Sequence, residues 1–239
     1  MRTMKEENHP MPRHVAIIID GNRRWAKAHG VPYWKGHVRG AERVEEISKA
    51  SIEAGIKYTT IWGGSYNNLT KRSPEEIKFL DQNMYRAWAA KGVKDKFIHD
   101  KGIQVRFIGE WPDLLSARTQ DAIRKVEDKT KGYSNYFVTY LVGYSGDREM
   151  VSAMNAAIES GVGEVSEETL KDFLWTKDLP EVDLLIRTGG DAHNSSGFMM
   201  WHIKNSLFSF EEKMWPDFSK EDFLKLIESF SQRERRFGR

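Results

Sequence analysis

The feature that most constrains the fold is the alternation of short apolar runs with amphipathic stretches along the chain. The run HVAIII at 14–19 is rich in β-branched residues and has no polar interruption, which predicts a buried strand. The same pattern predicts strands at 58–62, from Ile103, from Tyr136, at 183–187 and from Phe198. The stretches between and after them predict helices at 22–29, at 40–54, from Ser73, at about 112–131, at 147–159 and at about 219–236.

Strands that alternate with helices imply βαβ crossovers and a sheet whose two faces are both covered. We therefore predict an α/β fold: a single domain over 1–239 with a central, mostly parallel six-stranded sheet and a flexible segment at 1–12. No linker divides the chain. In such sheets ligands gather at the carboxyl ends of the strands, so the residues there are the candidates for chemistry.

Composition narrows the class of protein. The net charge is only +2, whereas a general nucleic-acid binder would show a stronger basic excess, so we expect no nucleic-acid partner. The chain has no cysteine, which excludes disulfides, thiolate metal sites and cysteine nucleophiles. The start of the chain resembles no signal peptide, and no run reaches the roughly 18 apolar residues of a membrane span. We expect a cytoplasmic protein, with contact at a membrane surface left open.

The loop after the first strand reads Asp20-Gly21-Asn22-Arg23-Arg24-Trp25. A glycine there lets the backbone approach a ligand closely, and the arginines favour a bound diphosphate. Asp20 would repel that anion unless a cation such as Mg²⁺ bridged the two. An ordinary turn with Asp20 capping the next helix explains the same residues equally well.

A second polar cluster follows the fifth strand, from Arg187 through Gly189 and Gly190 to Ser195 and Ser196. An arginine at a strand end, followed by glycines and hydroxyls, is typical of an anion site. An ordinary glycine turn with a salt-bridged Arg187 is the slightly better explanation if the cluster stands alone. Two such clusters at one sheet edge predict two phosphorylated ligands side by side.

Several segments together resemble the cis-prenyltransferase family, which includes the undecaprenyl diphosphate synthases. They are HVAIIIDGNRRWAKAHG from His14, Gly36-His37 with Gly40, DLLIRTGG from Asp183, MWPDF from Met214 and RERRFG from Arg233. The resemblance covers about 11–239. It implies a parallel sheet, a hydrophobic tunnel and usually a homodimer. It also implies Mg²⁺-assisted ionisation of an allylic prenyl diphosphate donor, which a second isoprenoid diphosphate attacks through its double bond.

The resemblance assigns roles to individual residues. Asp20 matches the aspartate that binds Mg²⁺ and assists ionisation, and Asn68 matches an asparagine linked to proton removal or transition-state positioning. Residues predicted to bind substrate are Gly21, Asn22, Arg23, Arg24, Trp25, His37, Ser65, Tyr66, Asn67, Arg72, Arg187, His193 and Ser195. The helix from Ser73 carries an apolar stripe that fits the core, the tunnel wall or both: Ile77, Leu80, Met84 and Trp88.

The sequence departs from the family pattern at the second substrate site. His193 stands where a second arginine is usual, and Leu207 stands where a metal-binding glutamate is usual, with Asp191 the nearest acidic substitute. Gly63-Gly64 replaces an aromatic segment, which predicts a larger cavity. Imidazole lacks the guanidinium fork that clamps a diphosphate.

These departures lead us to expect a prenyltransferase with an unusual acceptor, either another prenyl diphosphate or a small alcohol, instead of repeated isopentenyl diphosphate. One alternative is a standard cis-polyprenyl diphosphate synthase that condenses head to tail. Another is a non-catalytic partner subunit, against which the intact loop from Asp20 to Trp25 argues. A nucleotide-binding or phosphatase protein fits poorly, because the chain has neither a Walker motif nor a GxGxxG.

Overall fold

A computed structural model of the chain describes residues 11–232. Most of the predicted flexible segment 1–12 and the RERRFG motif at 233–238 lie outside these residues. The strands are β1 (His14–Ile18), β2 (Tyr58–Gly64), β3 (Ile103–Ile108), β4 (Tyr136–Val142), β5 (Leu184–Arg187) and β6 (Leu207–Phe210). They form one six-stranded sheet in the order β3-β4-β2-β1-β5-β6. Every strand pair is parallel, which confirms the predicted α/β fold.

Eleven α-helices surround the sheet within the described residues. They are α1 (Asn22–Ala28), α2 (Tyr33–Glu53), α3 (Tyr66–Lys71), α4 (Pro74–Leu80), α5 (Arg86–Gly92), α6 (Lys96–Lys101), α7 (Trp111–Leu114), α8 (Ala117–Thr130), α9 (Gly146–Glu159), α10 (Glu167–Lys171) and α11 (Lys220–Ser231). A π-turn at Asp81–Tyr85 joins α4 to α5, and a 3-10 turn at Trp215–Asp217 precedes α11.

Both faces of the sheet are buried, as a parallel sheet requires. All five residues of β1 are buried, and they alternate between two apolar cores. Val15 and Ile17 pack with α2 and α11 on one face, whereas Ala16 and Ile18 pack with Phe198 on the other. This double burial fixes the register of β1 and therefore the place where its carboxyl end emerges.

The predicted sixth strand from Phe198 is wrong. Residues 198–202 form turns, in which Met199 has a positive φ of 47°, and Phe198 and Met199 are fully buried beneath β1 and β2. A short apolar run can be a buried strand or a buried turn, and its periodicity does not separate the two. The sixth strand is instead the half-exposed edge segment Leu207–Phe210.

Some helix boundaries also differ from the predicted ones. Helix α2 begins at Tyr33, well before the expected start at Gly40, and Pro32 is its N-cap. The expected long helix from Ser73 is interrupted by the π-turn, and the expected helix at 112–131 is divided between α7 and α8. Among residues 11–232, no helix is both long and apolar enough to cross a membrane.

Candidate active site

The loops after β1, β2 and β5 meet at the carboxyl edge of the sheet, because these three strands are neighbours. Asp20 leaves β1, and the next residue, Gly21, has a φ of +109° that side-chain-bearing residues rarely adopt. A Cβ on Gly21 would also lie 2.8 Å from the Cβ of Met214. The tight turn at Gly21 therefore aims Asp20 across the edge towards β5.

Asp20 lies between two arginines. Its Oδ2 accepts a hydrogen bond of 3.0 Å from Nη2 of Arg187, and its Oδ1 lies 3.2 Å from Nη2 of Arg24. The Oδ1 also accepts the backbone N–H of Gly21 at 2.6 Å. Asp191 approaches the same two guanidinium groups at 3.4 Å from Arg24 and 3.7 Å from Arg187. Two cations and two carboxylates thus share one small region.

Arg187 is buried and held from several sides. Its Nη1 donates to the carbonyl of His193 at 2.7 Å and to the hydroxyl of Ser195 at 2.6 Å. His193 Nε2 lies 2.9 Å from the same hydroxyl, so the loop after β5 folds around the guanidinium group. The Nε of Arg187 is buried and has no hydrogen-bond partner. The predicted residues of this loop therefore do meet, and Arg187 organises them.

The loop after β2 fixes Asn68 through a capping box at the start of α3. The hydroxyl of Ser65 accepts the backbone N–H of Asn68 at 3.0 Å, and the side-chain oxygen of Asn68 accepts the backbone N–H of Ser65 at 3.2 Å. These reciprocal bonds satisfy two free donors of the helix end. The orientation of the Asn68 amide is therefore set by the backbone around it.

Glu76 is a residue of the site that the sequence analysis does not single out, because its place three residues after Ser73 is typical of an ordinary capping box. The hydroxyl of Ser73 does accept the backbone N–H of Glu76, but the carboxylate of Glu76 turns inwards. It accepts from Arg72 Nη1 at 2.9 Å, lies 3.1 Å from His37 Nε2 and lies 3.9 Å from Arg23 Nη1. One buried carboxylate thus holds three residues that were predicted to bind substrate.

The electrostatics of Glu76 follow from these neighbours. Burial alone would raise the pKa of its carboxyl, but the hydrogen bond from His37 and the charges of Arg72 and Arg23 outweigh burial and lower it. Glu76 is therefore ionised at neutral pH. Its negative charge offsets part of the positive charge that an anionic ligand would meet at this edge.

Two polar cavities open at the edge, and Asp20, Asn22, His37 and Arg72 line both. The first, of about 340 Å³, lies towards β5 and the loop after β2; further residues in its wall are Ser65, Asn67, Asn68, Arg187 and Ser195. The second, of about 650 Å³, lies over α1; further residues in its wall are Gly21, Arg23, Arg24, Lys27 and Tyr33. Lys27 and Tyr33 were not predicted to bind substrate.

A third cavity, of about 270 Å³, is apolar and lies between the sheet and helices α2, α5 and α6. It begins at Val38, one residue after His37 of the polar cavities, and follows α2 to Ile52. At 1.5 Å per helical residue this face is about 21 Å long. Leu80 and Met84 line the smaller polar cavity, and Trp88 on the next turn lines the apolar one.

Comparisons with known proteins identify the family to which this chain belongs. Residues 18–238 match the prenyltransferase family model described as "Putative undecaprenyl diphosphate synthase". The chain belongs to the cis-prenyltransferase family. It is thus a prenyltransferase, an enzyme of isoprenoid biosynthesis, as the sequence predicted.

Individual relatives agree with this membership. A tritrans,polycis-undecaprenyl-diphosphate synthase (geranylgeranyl-diphosphate specific) of Pyrococcus horikoshii is 38% identical over 96% of this chain and 88% of its own length. An isoprenyl transferase of Aquifex pyrophilus is 38% identical over 96% of both chains. The crystal structure of a lavandulyl diphosphate synthase from Lavandula x intermedia, in complex with dimethylallyl diphosphate, superposes with a TM-score of 0.86. It is 33% identical over 96% of this chain and 99% of its own.

One departure from the cis-prenyltransferase pattern has a different consequence from the expected one. Gly63 and Gly64 line the smaller polar cavity, but residues of the π-turn and of α5 fill the space in which their side chains would start. Tyr85 donates a hydrogen bond of 3.0 Å to the carbonyl of Gly63, and a Cβ on Gly64 would lie 2.7 Å from the Tyr85 hydroxyl oxygen. A Cβ on Gly63 would lie 3.3 Å from the ring of Trp88.

Leu207 lies away from the site of this cis-prenyltransferase. It pairs with Leu184 at the amino end of β6, whereas Arg187 pairs with Phe210 at the carboxyl end. At about 3.3 Å per residue, a side chain at 207 starts roughly 10 Å from the edge that carries Asp20. The expectation that Leu207 removes a metal ligand from this chain's own site therefore has no support in the geometry.

Three predicted residues lie outside the walls of the polar cavities: His193, whose contacts are given above, Tyr66 and Trp25. Tyr66 packs its ring under the guanidinium of Arg148, 3.7 Å from the ring centroid. Trp25 stacks on His29 and donates its indole N–H to Asp217 at 2.7 Å. Tyr66 and Trp25 thus contact other side chains of this cis-prenyltransferase instead of facing the polar cavities.

Proposed function

We propose that the chain is a cis-polyprenyl diphosphate synthase, which extends an allylic prenyl diphosphate by head-to-tail addition of isopentenyl diphosphate. The observation that carries the proposal is the position of Asp20 between Arg24 and Arg187. Arginine is well suited to bind diphosphate, and two arginines on opposite sides of one carboxylate suit two diphosphates side by side.

The donor diphosphate would occupy the larger polar cavity, beside Arg23, Arg24 and His37. Breaking the bond between C1 and the diphosphate oxygen places negative charge on the leaving diphosphate. Guanidinium groups that are already in position stabilise this charge as it develops, which is the usual way in which an enzyme lowers such a barrier. Glu76 holds the imidazole of His37 at 3.1 Å, and the guanidinium of Arg23 lies 3.9 Å from the same carboxylate.

The acceptor diphosphate would bind at Arg187 and Ser195, in the smaller polar cavity. C4 of isopentenyl diphosphate then forms a bond with C1 of the donor as the bond from C1 to the diphosphate oxygen breaks, and the proton at C2 of the added unit passes to an oxygen of the released diphosphate. Asn68 is neutral, and its side-chain oxygen already accepts the N–H of Ser65. We therefore assign Asn68 the role of orienting the acceptor, not of removing the proton.

The donor atoms at this edge fit a magnesium ion. Mg²⁺ binds through one or two carboxylates together with substrate phosphate oxygens, and Asp20 and Asp191 approach the same two arginines. Among residues 11–232, no group of three or more histidine or acidic side chains could hold a metal by itself, so the phosphates would supply the remaining ligands. When bound, Mg²⁺ neutralises charge on the leaving diphosphate.

The apolar cavity would receive the hydrocarbon chain. It begins next to His37 at the diphosphate sites and continues along the sheet between α2 and α5. An apolar cavity of this position separates the growing chain from water while both diphosphates stay at the polar edge. We infer that it corresponds to the hydrophobic tunnel expected for the family.

The regular head-to-tail reaction has better support than the unusual acceptor that the sequence favoured. The relatives from Pyrococcus horikoshii and Aquifex pyrophilus carry the names of an undecaprenyl-diphosphate synthase and an isoprenyl transferase. The geometry also removes two arguments for an unusual acceptor. Tyr85 and Trp88 occupy the space in which side chains at Gly63 and Gly64 would start, and Leu207 lies at the other end of its strand.

The experiment that tests the proposal is an analysis of products. The purified chain is incubated with Mg²⁺, labelled isopentenyl diphosphate and one allylic starter, either dimethylallyl, farnesyl or geranylgeranyl diphosphate. We expect label in products several isoprene units longer than the starter. Consumption of starter without any incorporation of isopentenyl diphosphate would overturn the head-to-tail reaction, and no consumption at all would favour the non-catalytic subunit.

A coupling of two allylic diphosphates is the second candidate, and His193 is the observation that favours it. His193 stands where the family usually has a second arginine, and it is exposed instead of buried against Arg187. The diphosphate clamp at the acceptor site is weaker for that reason. In the same experiment, dimethylallyl diphosphate alone would then give a product faster than the mixture with isopentenyl diphosphate does.

We further propose that two copies associate through the edge strand β6. Phe208 and Phe210 are about 40% exposed on one face of this strand, and their rings lie 6.0 Å apart. An exposed, apolar edge strand is a ready surface for pairing with another chain. A long prenyl product would also bring the enzyme into peripheral contact with a membrane surface when the product is released.

A further inference from the structure

The apolar cavity has a charged rim on its solvent side. Three charged residues of α2 contribute to the cavity wall, namely Glu42, Glu45 and Lys49. Lys91 near the end of α5 and Asp95 just before α6 lie across the gap and also contribute. The deeper wall, in contrast, is apolar and consists of residues such as Ile52, Ile103, Val105 and Val138.

Ion pairs cross this rim and join the two sides of the cavity. Both oxygens of Glu45 are used: Oε1 accepts from Lys49 at 2.7 Å, and Oε2 accepts from Lys91 on the opposite helix. Lys49 also lies 3.9 Å from Asp95, which is fixed because its carboxylate caps α6 at the N–H of Phe97. We call Glu45, Lys49, Lys91 and Asp95 the rim latch.

The pKa shifts of Glu45 and Lys49 favour the charged forms that their ion pairs need. Burial alone would raise the pKa of Glu45, but hydrogen bonds from Lys49 and Lys91 lower it overall. The hydrogen bond to Glu45 raises the pKa of Lys49. Glu45 and Lys49 are therefore ionised at neutral pH, and the ion pairs of the latch link α2 to the α5–α6 segment.

The floor of the cavity cannot move as easily as its rim. β4 beneath the cavity is paired on both sides, with β2 and β3, and its Tyr140 stacks on Trp88 of α5 with ring centroids 4.9 Å apart. A hydrocarbon chain that outgrows the cavity can therefore gain room mainly by separating α2 from α5. That separation requires Lys91 to leave Glu45.

We propose that the rim latch is a determinant of product length: it resists the separation of α2 from α5 and so sets the length at which the growing prenyl chain stops being extended. This inference rests on the proposed function, because it assumes that the apolar cavity receives the growing chain. The residue that decides the effect is Lys91, which is the latch residue on α5.

The first test compares Lys91→Met with Lys91→Arg. Methionine keeps the length and apolar stem of lysine without its charge, and arginine keeps the charge. With geranylgeranyl diphosphate and isopentenyl diphosphate, Lys91→Met should raise the fraction of products longer than the main wild-type product by roughly two- to fivefold, the effect of losing one exposed ion pair. Lys91→Arg should give the wild-type distribution. Lys131→Met removes an exposed ion pair with Asp128 remote from the cavity and should change nothing.

A second test cross-links α2 to α5 at the positions of Glu45 and Lys91. Because the chain has no cysteine, Glu45→Cys together with Lys91→Cys places the only two thiols on opposite sides of the rim. The double variant should make longer products, and treatment with a short bifunctional thiol reagent should return the distribution to the wild-type length or below it.

The outcomes separate the latch from the function on which it rests. Wild-type chain lengths in Lys91→Met, or in the double variant before cross-linking, overturn the latch while regular synthesis stands. Shorter products in Lys91→Met overturn it as well. If the wild-type protein incorporates no isopentenyl diphosphate at all, the proposed function fails, and the latch fails with it.

Discussion

Glu76 and His37 form a buried pair in which a carboxylate oxygen lies 3.1 Å from the imidazole Nε2. The pair joins α4 to α2, and Arg72 and Arg23 approach the same carboxylate. Glu76 is buried and lines neither polar cavity. It acts by holding the groups that would bind the donor diphosphate, which makes it a positioning residue.

Glu76→Gln tests this role because it removes the charge and keeps the size of the side chain. Hydrogen bonds to charged groups contribute about 1.5–3 kcal/mol, so kcat/KM for the allylic donor should fall by roughly ten- to a hundredfold. The loss should appear mainly in the KM for the donor, with a smaller change for isopentenyl diphosphate. Glu75→Gln, an exposed neighbour on the same helix, is the matched control. Equal losses for both substrates would argue for general damage to the fold.

Asp20→Asn should abolish turnover and leave the fold intact, since the side chain lies at a strand end and not in the core. The loss should be about a hundredfold or more in kcat, comparable to the loss of a group that stabilises transition-state charge. Binding of inorganic diphosphate without Mg²⁺ should be unchanged or tighter, because the carboxylate no longer opposes an anion beside Arg24 and Arg187. Calorimetry measures this binding, and weaker binding would count against the assigned geometry.

The sequence predicted the site residues at the strand ends better than the buried residue that holds them in position. Asp20 and Arg187 could be placed because each follows a buried run, and parallel neighbouring strands bring their carboxyl ends together. Glu76 could not be found in this way, since its position after Ser73 is the position of a capping box and only the fold brings His37 within reach. Its spacing of four residues from Arg72 is the one local signal for it, although Arg72 lies between two helices in an extended conformation.

The Gly63-Gly64 segment shows a second limit of sequence reasoning. Small residues at the end of a strand predict empty space, but what fills that space comes from a segment about 20 residues away. The π-turn at Asp81–Tyr85 brings Tyr85 towards β2, and π-turns have no simple sequence pattern. Similarly, the apolar run from Phe198 forms a buried turn, because Phe198 and Met199 pack against a face of the sheet and do not pair with a strand at its edge.

Association through β6 is tested by Phe210→Lys, which places a charge on the exposed edge strand. We expect the molecular mass from light scattering to fall from that of two copies to that of one at micromolar concentration, because a buried, unpaired charge opposes the contact. Val165→Lys, at another exposed apolar position, should have no effect. A wild-type protein of monomeric mass would exclude this interface.

Acid stability should depend on two buried histidines. Burial lowers the pKa of His14 and of His202 from 6.5 to about 4. The unfolded chain therefore binds more protons than the folded chain between these values, so stability is full above pH 6.5 and falls as the pH drops towards 4. The free energy of unfolding should be lower at pH 5 than at pH 7 by about 2 kcal/mol for each histidine.

Denaturant unfolding of His202→Gln at both pH values measures this contribution. The variant should lose about half of the pH dependence, because only His14 is left to bind a proton on unfolding. His29→Gln, at an exposed position, should keep the full dependence. If the wild-type protein is equally stable at pH 5 and pH 7, the two buried histidines do not govern its acid stability.

The contact between Gly64 and Tyr85 makes a prediction about packing. In Gly64→Ala the new Cβ would lie 2.7 Å from the Tyr85 hydroxyl oxygen, closer than van der Waals contact allows. Overpacking of this kind costs about 1–3 kcal/mol of the free energy of unfolding. Tyr85→Phe removes the hydroxyl together with its bond to Gly63, so alone it is also destabilising. In the double variant the alanine should cost much less than it does beside tyrosine, because the clashing atom is gone. The free energies of unfolding of the wild type, the two single variants and the double variant give the coupling energy between positions 64 and 85.

Gly132→Ala, where a Cβ would meet nothing within 4 Å, is the control. A strictly additive double variant would show that Tyr85 does not fill the space beside Gly64.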